Sequence, residues 1–182
     1  MSPLAIPRPE AEEAAPFYHG YIAEVTGDNI LEQLGSQLGE VERIFASVSE
    51  AAALGRYAPG KWSVKEVLGH LADVERIFAY RLLRISRHDP TPLPGFDQNR
   101  YVPAGRFDEQ TLKSLVRGFR TVRQSSIALA ESIPEECWSL WGEASDKAIS
   151  ARALAYILVG HVAHHLRVLH ERYGLGQARV PR

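Results

Sequence analysis

The chain has 182 residues, of which 45% are hydrophobic and 24% are charged, proportions typical of a single globular domain. The net charge of -1 gives no electrostatic reason to expect a nucleic-acid partner, and the single cysteine, Cys137, excludes an intramolecular disulfide and a cysteine-rich metal site. No apolar run approaches the roughly 18 residues of a membrane span, and the acidic, proline-broken N-terminus predicts no signal peptide, so we expect a cytoplasmic protein.

Four segments carry apolar residues at the three- and four-residue steps of an amphipathic helix. They span residues 29–54, 63–87, 108–132 and 150–173. The second has the clearest start, because Ser63 and Glu66 have the spacing of a capping box. Gly174 is placed to end the fourth helix in a left-handed conformation. No segment alternates convincingly at period two, so we expect no substantial sheet.

Four such helices bury their apolar stripes most simply against one another, which predicts an all-α fold, a four-helix bundle. Residues 55–62 join the first two helices, and a connection this short favours antiparallel neighbours. Residues 88–107 and 134–149 form two longer connections, of which the first is proline-rich. The predicted organisation is an N-terminal extension (residues 1–26), the bundle (27–175) and a C-terminal tail (176–182).

Two histidines of the fourth segment, His161 and His165, lie one turn apart near the middle of its core-facing stripe, with His164 at the edge. In the second segment, His70 lies on the flank of the buried arc, one turn before Asp73. Buried imidazoles are costly unless their nitrogens are satisfied. A pair at i and i+4 with a third histidine from a facing helix is a common way to build a metal site in a bundle. Three neutral histidines would leave a coordination position open, as catalytic sites do.

Each of these positions also has a structural interpretation. The histidines could be hydrogen-bonded core residues, and Asp73 could either orient the His70 ring or be a solvated carboxylate. Asp97 is the first candidate for a catalytic proton shuttle, because its loop could fold over the site; its alternative role is to cap or turn that loop. The arginines of the third helix are interpreted as a solvated face: Arg117, Arg120 and Arg123.

Three motifs are similar to those of one known family. Residues 61–73 (KWSVKEVLGHLAD) match its second-helix signature, residues 161–165 (HVAHH) match its H-x-x-x-H motif, and residues 95–101 (GFDQNRY) match the loop after the second helix. Together, over about residues 17–173, they resemble the DinB-like superfamily, in the subgroup of small metal-dependent hydrolases.

The resemblance implies an up–down–down–up four-helix bundle, usually a homodimer, with His70, His161 and His165 as ligands of one divalent metal. Zinc or nickel is the metal most often found in the family, and iron or manganese are further candidates. Characterised relatives include thiol-dependent S-transferases and maleylpyruvate isomerases, in which the metal activates a low-molecular-weight thiol. We therefore expect a hydrolase or S-transferase acting on a small molecule. The alternative is a non-catalytic, metal-stabilised bundle or a small-molecule binding protein.

Overall fold

The computed structural model describes residues 5–176. Within them, six α-helices follow in chain order: α1 (Pro16–Ala23), α2 (Ile30–Ala46), α3 (Val64–Ser86), α4 (Gln98–Gly105), α5 (Leu112–Glu131) and α6 (Ala151–Tyr173). Two short antiparallel strands, β1 (Trp141–Ala144) and β2 (Lys147–Ser150), form a hairpin before α6. None of the helices in this part of the chain combines the length and apolarity that crossing a membrane requires.

The helices α2, α3, α5 and α6 form the bundle, in which α3 and α2 each pack against both α5 and α6. Their directions follow from contacts at one end of the bundle. The Lys65 ammonium, at the start of α3, donates to the Gln110 carbonyl before α5 (2.7 Å), and the Tyr173 hydroxyl, at the end of α6, donates to the Trp62 carbonyl (2.6 Å). Glu50, beyond the end of α2, accepts the Leu112 N–H (2.8 Å) at the same place. The up–down–down–up bundle is thereby confirmed.

The prediction that the first two helices are neighbours was wrong. α2 and α3 are antiparallel but lie on the bundle diagonal, since both pack mainly against α5 and α6. The physical reason is the length of the connection. The first helix ends at Ala46 and not at residue 54, where a separate 3-10 turn (Ala52–Leu54) is found, so residues 47–63 are available to cross the end of the bundle.

The predicted ends of the two site-bearing helices are confirmed. The Ser63 hydroxyl accepts the N–H of Glu66 (3.0 Å), and the Glu66 carboxylate accepts the N–H of Ser63 (2.8 Å), which is the reciprocal pattern of a capping box. At the other end, Gly174 adopts a left-handed conformation (φ 67°) and ends α6. These caps therefore define the start of α3 and the end of α6.

Both long connections contain more regular structure than the sequence predicts. The proline-rich segment includes α4, which begins after Asp97 and tolerates Pro103 in its second turn. The second connection forms the β-hairpin, whose two turn residues, Ser145 and Asp146, both have positive φ (56° and 60°). Asn-Gly or Asp-Gly is the usual signal for such a turn, and Ser-Asp is not, so this small sheet was missed.

The described part of the proposed N-terminal extension packs on the bundle. Ile6 is fully buried, and its carbonyl accepts the Tyr156 hydroxyl (2.8 Å) from α6. α1 crosses α6 so closely that a Cβ at Gly160 would lie 1.9 Å from the Tyr21 carbonyl oxygen. The C-terminal tail lies, from residue 177 onward, outside the described residues.

This close approach makes Gly160→Ala a sensitive probe of how α1 is held. A methyl group cannot occupy that space, so we expect α1 to be displaced and protease cleavage near its ends to accelerate, with a lower melting temperature. Gly118→Ala in α5 is the matched control, because a Cβ there meets nothing within 4 Å. The control should be neutral or stabilise by about 0.5–1 kcal/mol from helix propensity alone. Equal melting temperatures for the two variants would contradict the close contact.

Candidate metal centre

Three histidines converge between α3 and α6. The Nε2 atoms of His70 and His161 are 3.1 Å apart, and one ring nitrogen from each of His70, His161 and His165 lies within 4.8 Å of the other two. All three side chains are buried, with 2%, 4% and 9% of their surface exposed. The structure thus brings together the three positions that helical phase selected. His164, by contrast, is half-buried, and its Nδ1 faces the Arg167 guanidinium (3.3 Å).

Aromatic rings hold the imidazoles in place. The Trp62 indole, just before the capping box, packs on His70 with ring centroids 4.7 Å apart and lies nearly parallel to His165 at 6.5 Å. On the other side, Tyr21 of α1 meets His161 edge-on at 5.4 Å. The contact of Tyr21 with this cluster was not predicted from the sequence.

Burial keeps these imidazoles neutral. It lowers the pKa of His70 from 6.5 to about 4. Burial also holds the pKa values of His161 and His165 well below the usual range, and the neighbouring histidines lower both further. At pH 7 each ring therefore has an unprotonated nitrogen whose lone pair is available, which is the state that metal coordination needs.

The donor set fits a divalent cation. The Nδ1 atom of His165 is buried and has no hydrogen-bond partner among residues 5–176. The Nε2 atoms of His70 and His161 face each other at 3.1 Å. One proton shared between these two nitrogens would satisfy them, but it would not satisfy the nitrogen of His165. A cation would satisfy nitrogens from all three rings at once. Imidazole suits zinc, nickel, copper and iron.

The lowered pKa values predict an acid-sensitive fold. Because the folded-state pKa of His70 lies below the unfolded value, its contribution to stability is present above about pH 6.5 and is lost as the pH falls toward about 4, by on the order of 3 kcal/mol. Urea unfolding of chelator-treated protein across this window measures the loss. His70→Asn should reduce this dependence, and His161 and His165 should account for what remains. His88→Asn is the control, because His88 is exposed and Asn tolerates its positive φ, and this variant should keep the pH dependence of the wild type. Identical pH profiles for the two variants would contradict the contribution of His70.

Two cavities reach the histidine cluster from different sides. The first encloses about 360 Å³, includes His161 in its wall, and is otherwise lined by Phe17, Tyr18, Tyr21, Val74, Phe78, Phe96, Asp97, Gln98 and Ser145. The second encloses about 300 Å³, includes His165, and is bordered by Trp62, Asn99, His164 and Tyr173 among others. A larger cleft of about 650 Å³ lies between α2 and α5. None of the three histidines lines this cleft, so it is not the candidate metal site despite its larger volume.

Comparison with known families agrees with this architecture. The family model of the DinB superfamily matches residues 33–169, three quarters of the chain, and this range includes all three histidines. The chain belongs to the DinB superfamily. No curated protein sequence is significantly similar to it.

Two solved structures share the DinB fold with this chain. YfiT from Bacillus subtilis, described as a probable metal-dependent hydrolase with an unusual four-helix bundle topology, superposes with a TM-score of 0.65 at 15% identity, over 91% of this chain and 93% of its own. A mycothiol-dependent maleylpyruvate isomerase superposes with a TM-score of 0.67 at 12% identity, over 88% of this chain and 66% of its own. At these identities the similarity establishes the fold.

Asp97 lies where both of its predicted roles are possible. It is the N-cap of α4, where its Oδ1 accepts the N–H of Asn99 (2.9 Å), and it also lines the first cavity together with His161. Its capping role is thus observed, whereas its catalytic role stays a prediction. Asp73 is half-buried in α3, where it forms an ion pair with Arg76 (3.1 Å) and burial raises its pKa, so a role in orienting His70 stays a prediction.

One arginine of the DinB bundle was misinterpreted from the sequence. Arg123 is fully buried, and its guanidinium pairs with the buried Glu75 carboxylate of α3 (2.9 Å). Its Nη1 also donates to the Gln37 side chain (3.3 Å), whose amide in turn donates to the Val159 carbonyl of α6 (2.9 Å). A charged network therefore crosses the bundle near the histidines, where a solvated face was expected.

Proposed function

We propose that this protein is a metal-dependent enzyme in which His70, His161 and His165 hold one divalent cation with an open coordination position. The observation that carries the proposal is the convergence of three buried imidazoles, with one ring nitrogen of each within 4.8 Å of the other two and with His161 at the wall of a cavity. Such a cation lowers the pKa of water or of a thiol and so supplies a nucleophile near neutral pH. The substrate is a small molecule, and the reaction is hydrolysis or S-transfer with a low-molecular-weight thiol.

The chain's own residues have separable tasks in this proposal. The cavity wall of aromatic side chains binds the substrate and excludes water from the face of His161. Asp97, whose carboxylate lies at the same wall, accepts or returns a proton at its side-chain oxygen during turnover. Trp62 and Tyr21 keep the imidazoles oriented through ring contacts.

Metal binding by untagged protein is the direct test. Chelator-treated protein should take up one equivalent of zinc or nickel in a calorimetric titration, with the fold unchanged by circular dichroism. Failure to bind any divalent transition metal would overturn the proposal. If metal binds but chelation chiefly lowers the melting temperature, and no turnover is found, the non-catalytic metal-stabilised bundle is supported instead.

Cobalt substitution separates the two reaction classes. A thiolate bound to cobalt gives an intense near-ultraviolet charge-transfer band, whereas water does not. Addition of N-acetylcysteine to the cobalt-loaded protein should produce this band if the open position takes a thiol. Its absence, with the visible cobalt spectrum intact, would favour hydrolysis.

The role of Asp97 can be tested without disturbing α4. Asn caps helices as well as Asp does, so Asp97→Asn should leave the melting temperature unchanged. Because the amide cannot carry the proton, turnover should fall about 100-fold, the usual contribution of one general acid or base. Asp97→Ala should lose both stability and turnover. Full activity in Asp97→Asn would limit this residue to capping.

Three further elements complete the proposal: a homodimer, a cytoplasmic location and no nucleic-acid partner. The near-neutral charge of the chain supports the last of these. Sedimentation velocity of metal-loaded protein tests the dimer, and a gel-shift assay at low salt tests nucleic-acid binding.

A further inference from the structure

Arg81 of α3 is a buried cation without a counter-ion. Only 1% of its surface is exposed, and it forms no ion pair with any residue between 5 and 176. Its Nη2 donates to the Pro94 carbonyl (2.8 Å) and to the Ser145 hydroxyl (2.9 Å), while its Nη1 is buried with no hydrogen-bond partner in the same part of the chain. A buried charge without a counter-ion is strongly unfavourable, so an anion bound near this guanidinium would stabilise it.

The charge lies directly behind the wall of the first cavity. The guanidinium carbon of Arg81 is 5.6 Å from the centre of the Phe78 ring and 5.8 Å from that of Phe96. Both rings and Ser145 line the cavity whose wall also includes His161. In this poorly solvated setting the positive charge acts over a longer range than it would in water. The cavity therefore combines an apolar, aromatic body with an electropositive side.

Ser145 connects this charge to the cavity. It is the first turn residue of the β-hairpin and has φ 56°, a region that residues other than Gly, Asn and Asp rarely occupy. Its N–H donates to the Leu93 carbonyl (2.9 Å), which fixes the turn beside the segment before α4. Since its oxygen accepts a hydrogen bond from Arg81, its own proton is free to be donated to a ligand.

We propose that the first cavity recognises the carboxylate of a small organic acid with an aromatic or apolar body, through the Ser145 hydroxyl. Arg81 is the positioning residue, which orients that hydroxyl and supplies the charge. Small organic acids are thus the substrate class of this site. A catalytic role for their binding rests on the proposed function, whereas the binding itself does not need the metal. Asp97 is the acidic residue of the same lining, but it is exposed, so water screens its charge more than that of Arg81.

Ligand-observed ¹⁹F NMR on chelator-treated protein tests the proposal. The probes are 4-fluorophenylacetate and its neutral, nearly isosteric amide, 4-fluorophenylacetamide. A charge-assisted hydrogen bond should make the acid bind at least about tenfold more tightly than the amide. Ser145→Ala and Ser145→Gly should reduce this preference, while binding of the amide changes little.

Asp146→Gly is the matched control, because it relaxes the same turn at a second positive φ but does not touch the cavity. It should retain the full preference for the acid. Arg81→Met should lose the preference for the acid. If that variant fails to fold, Ser145→Ala and Ser145→Gly still test the proposal. Equal binding of the two probes to the wild-type protein, no binding of either, or an undiminished preference in Ser145→Ala would each overturn the proposal.

Because every measurement uses metal-free protein, its outcome is independent of the metal titration. If the protein prefers the acid but binds no metal, the carboxylate site is supported and the proposed function is overturned. If the protein binds metal but shows no preference for the acid, the proposed function is supported and the carboxylate site is overturned.

Discussion

His161→Ala should lower the affinity of the protein for zinc by more than about 100-fold, since even residues that merely orient ligands typically contribute about 10–100-fold. The Nε2 atom of His161 is 3.1 Å from that of His70, and His161 lies one turn before His165. Its removal leaves two imidazoles, too few for a site with an open position. Competition with a chromophoric chelator measures the affinity.

His170→Ala is the control for this substitution, because His170 lies on the exposed face of the same helix. It should bind zinc as the wild-type protein does. The metal-free His161→Ala protein should remain folded, because a buried neutral imidazole is replaced by an apolar methyl group. Unchanged zinc affinity in His161→Ala would show that the metal lies elsewhere.

Arg123→Met should destabilise the protein by about 3–5 kcal/mol, the usual cost of removing one partner of a buried ion pair. The loss arises because Glu75 keeps its buried position, where one carboxylate oxygen already has no hydrogen-bond partner among residues 5–176. Arg120→Met is the matched control in the same helix. Its pair with Glu42 is solvent-exposed, so a loss of only about 0–1 kcal/mol is expected.

The sign of the pH dependence gives a second test of this pair. Burial raises the pKa of Glu75, so the folded state of Arg123→Met favours the protonated carboxyl. A raised folded-state pKa means that stability is lost as the pH increases, and the deficit relative to the wild type should therefore grow between about pH 5 and pH 8. The double variant Glu75→Met with Arg123→Met should recover most of the loss. A deficit that shrinks with increasing pH would contradict an isolated buried Glu75.

Helical phase and capping were sufficient to predict the parts of the molecule that carry the candidate site. Ser63 and Glu66 define the start of α3, and a regular helix then directs His70 inward. His161 and His165 share one face of α6 because they are one turn apart. These are local relations within a single helix, which a sequence displays directly.

The features that were missed depend on partners distant in the chain. Arg123 is polar and lies in a helix, and only the position of Glu75 on a helix that packs beside it explains its burial. Ser145 is held in position by hydrogen bonds with Arg81 and Leu93, which are distant from it in sequence. Tyr21 belongs to a short helix whose position depends on the space left by Gly160. A single sequence contains no local signal for any of these pairings.

The packing of α1 on α6 has a practical consequence for how the protein is handled. The range matched by the superfamily model begins at residue 33, beyond Tyr18 and Tyr21, which form part of the wall around His161. A shortened version that starts at the matched range would keep His70, His161 and His165, yet its cavity would be open to bulk water. Screening such a trimmed protein for substrates would return false negatives, so libraries should be tested on a chain that includes α1.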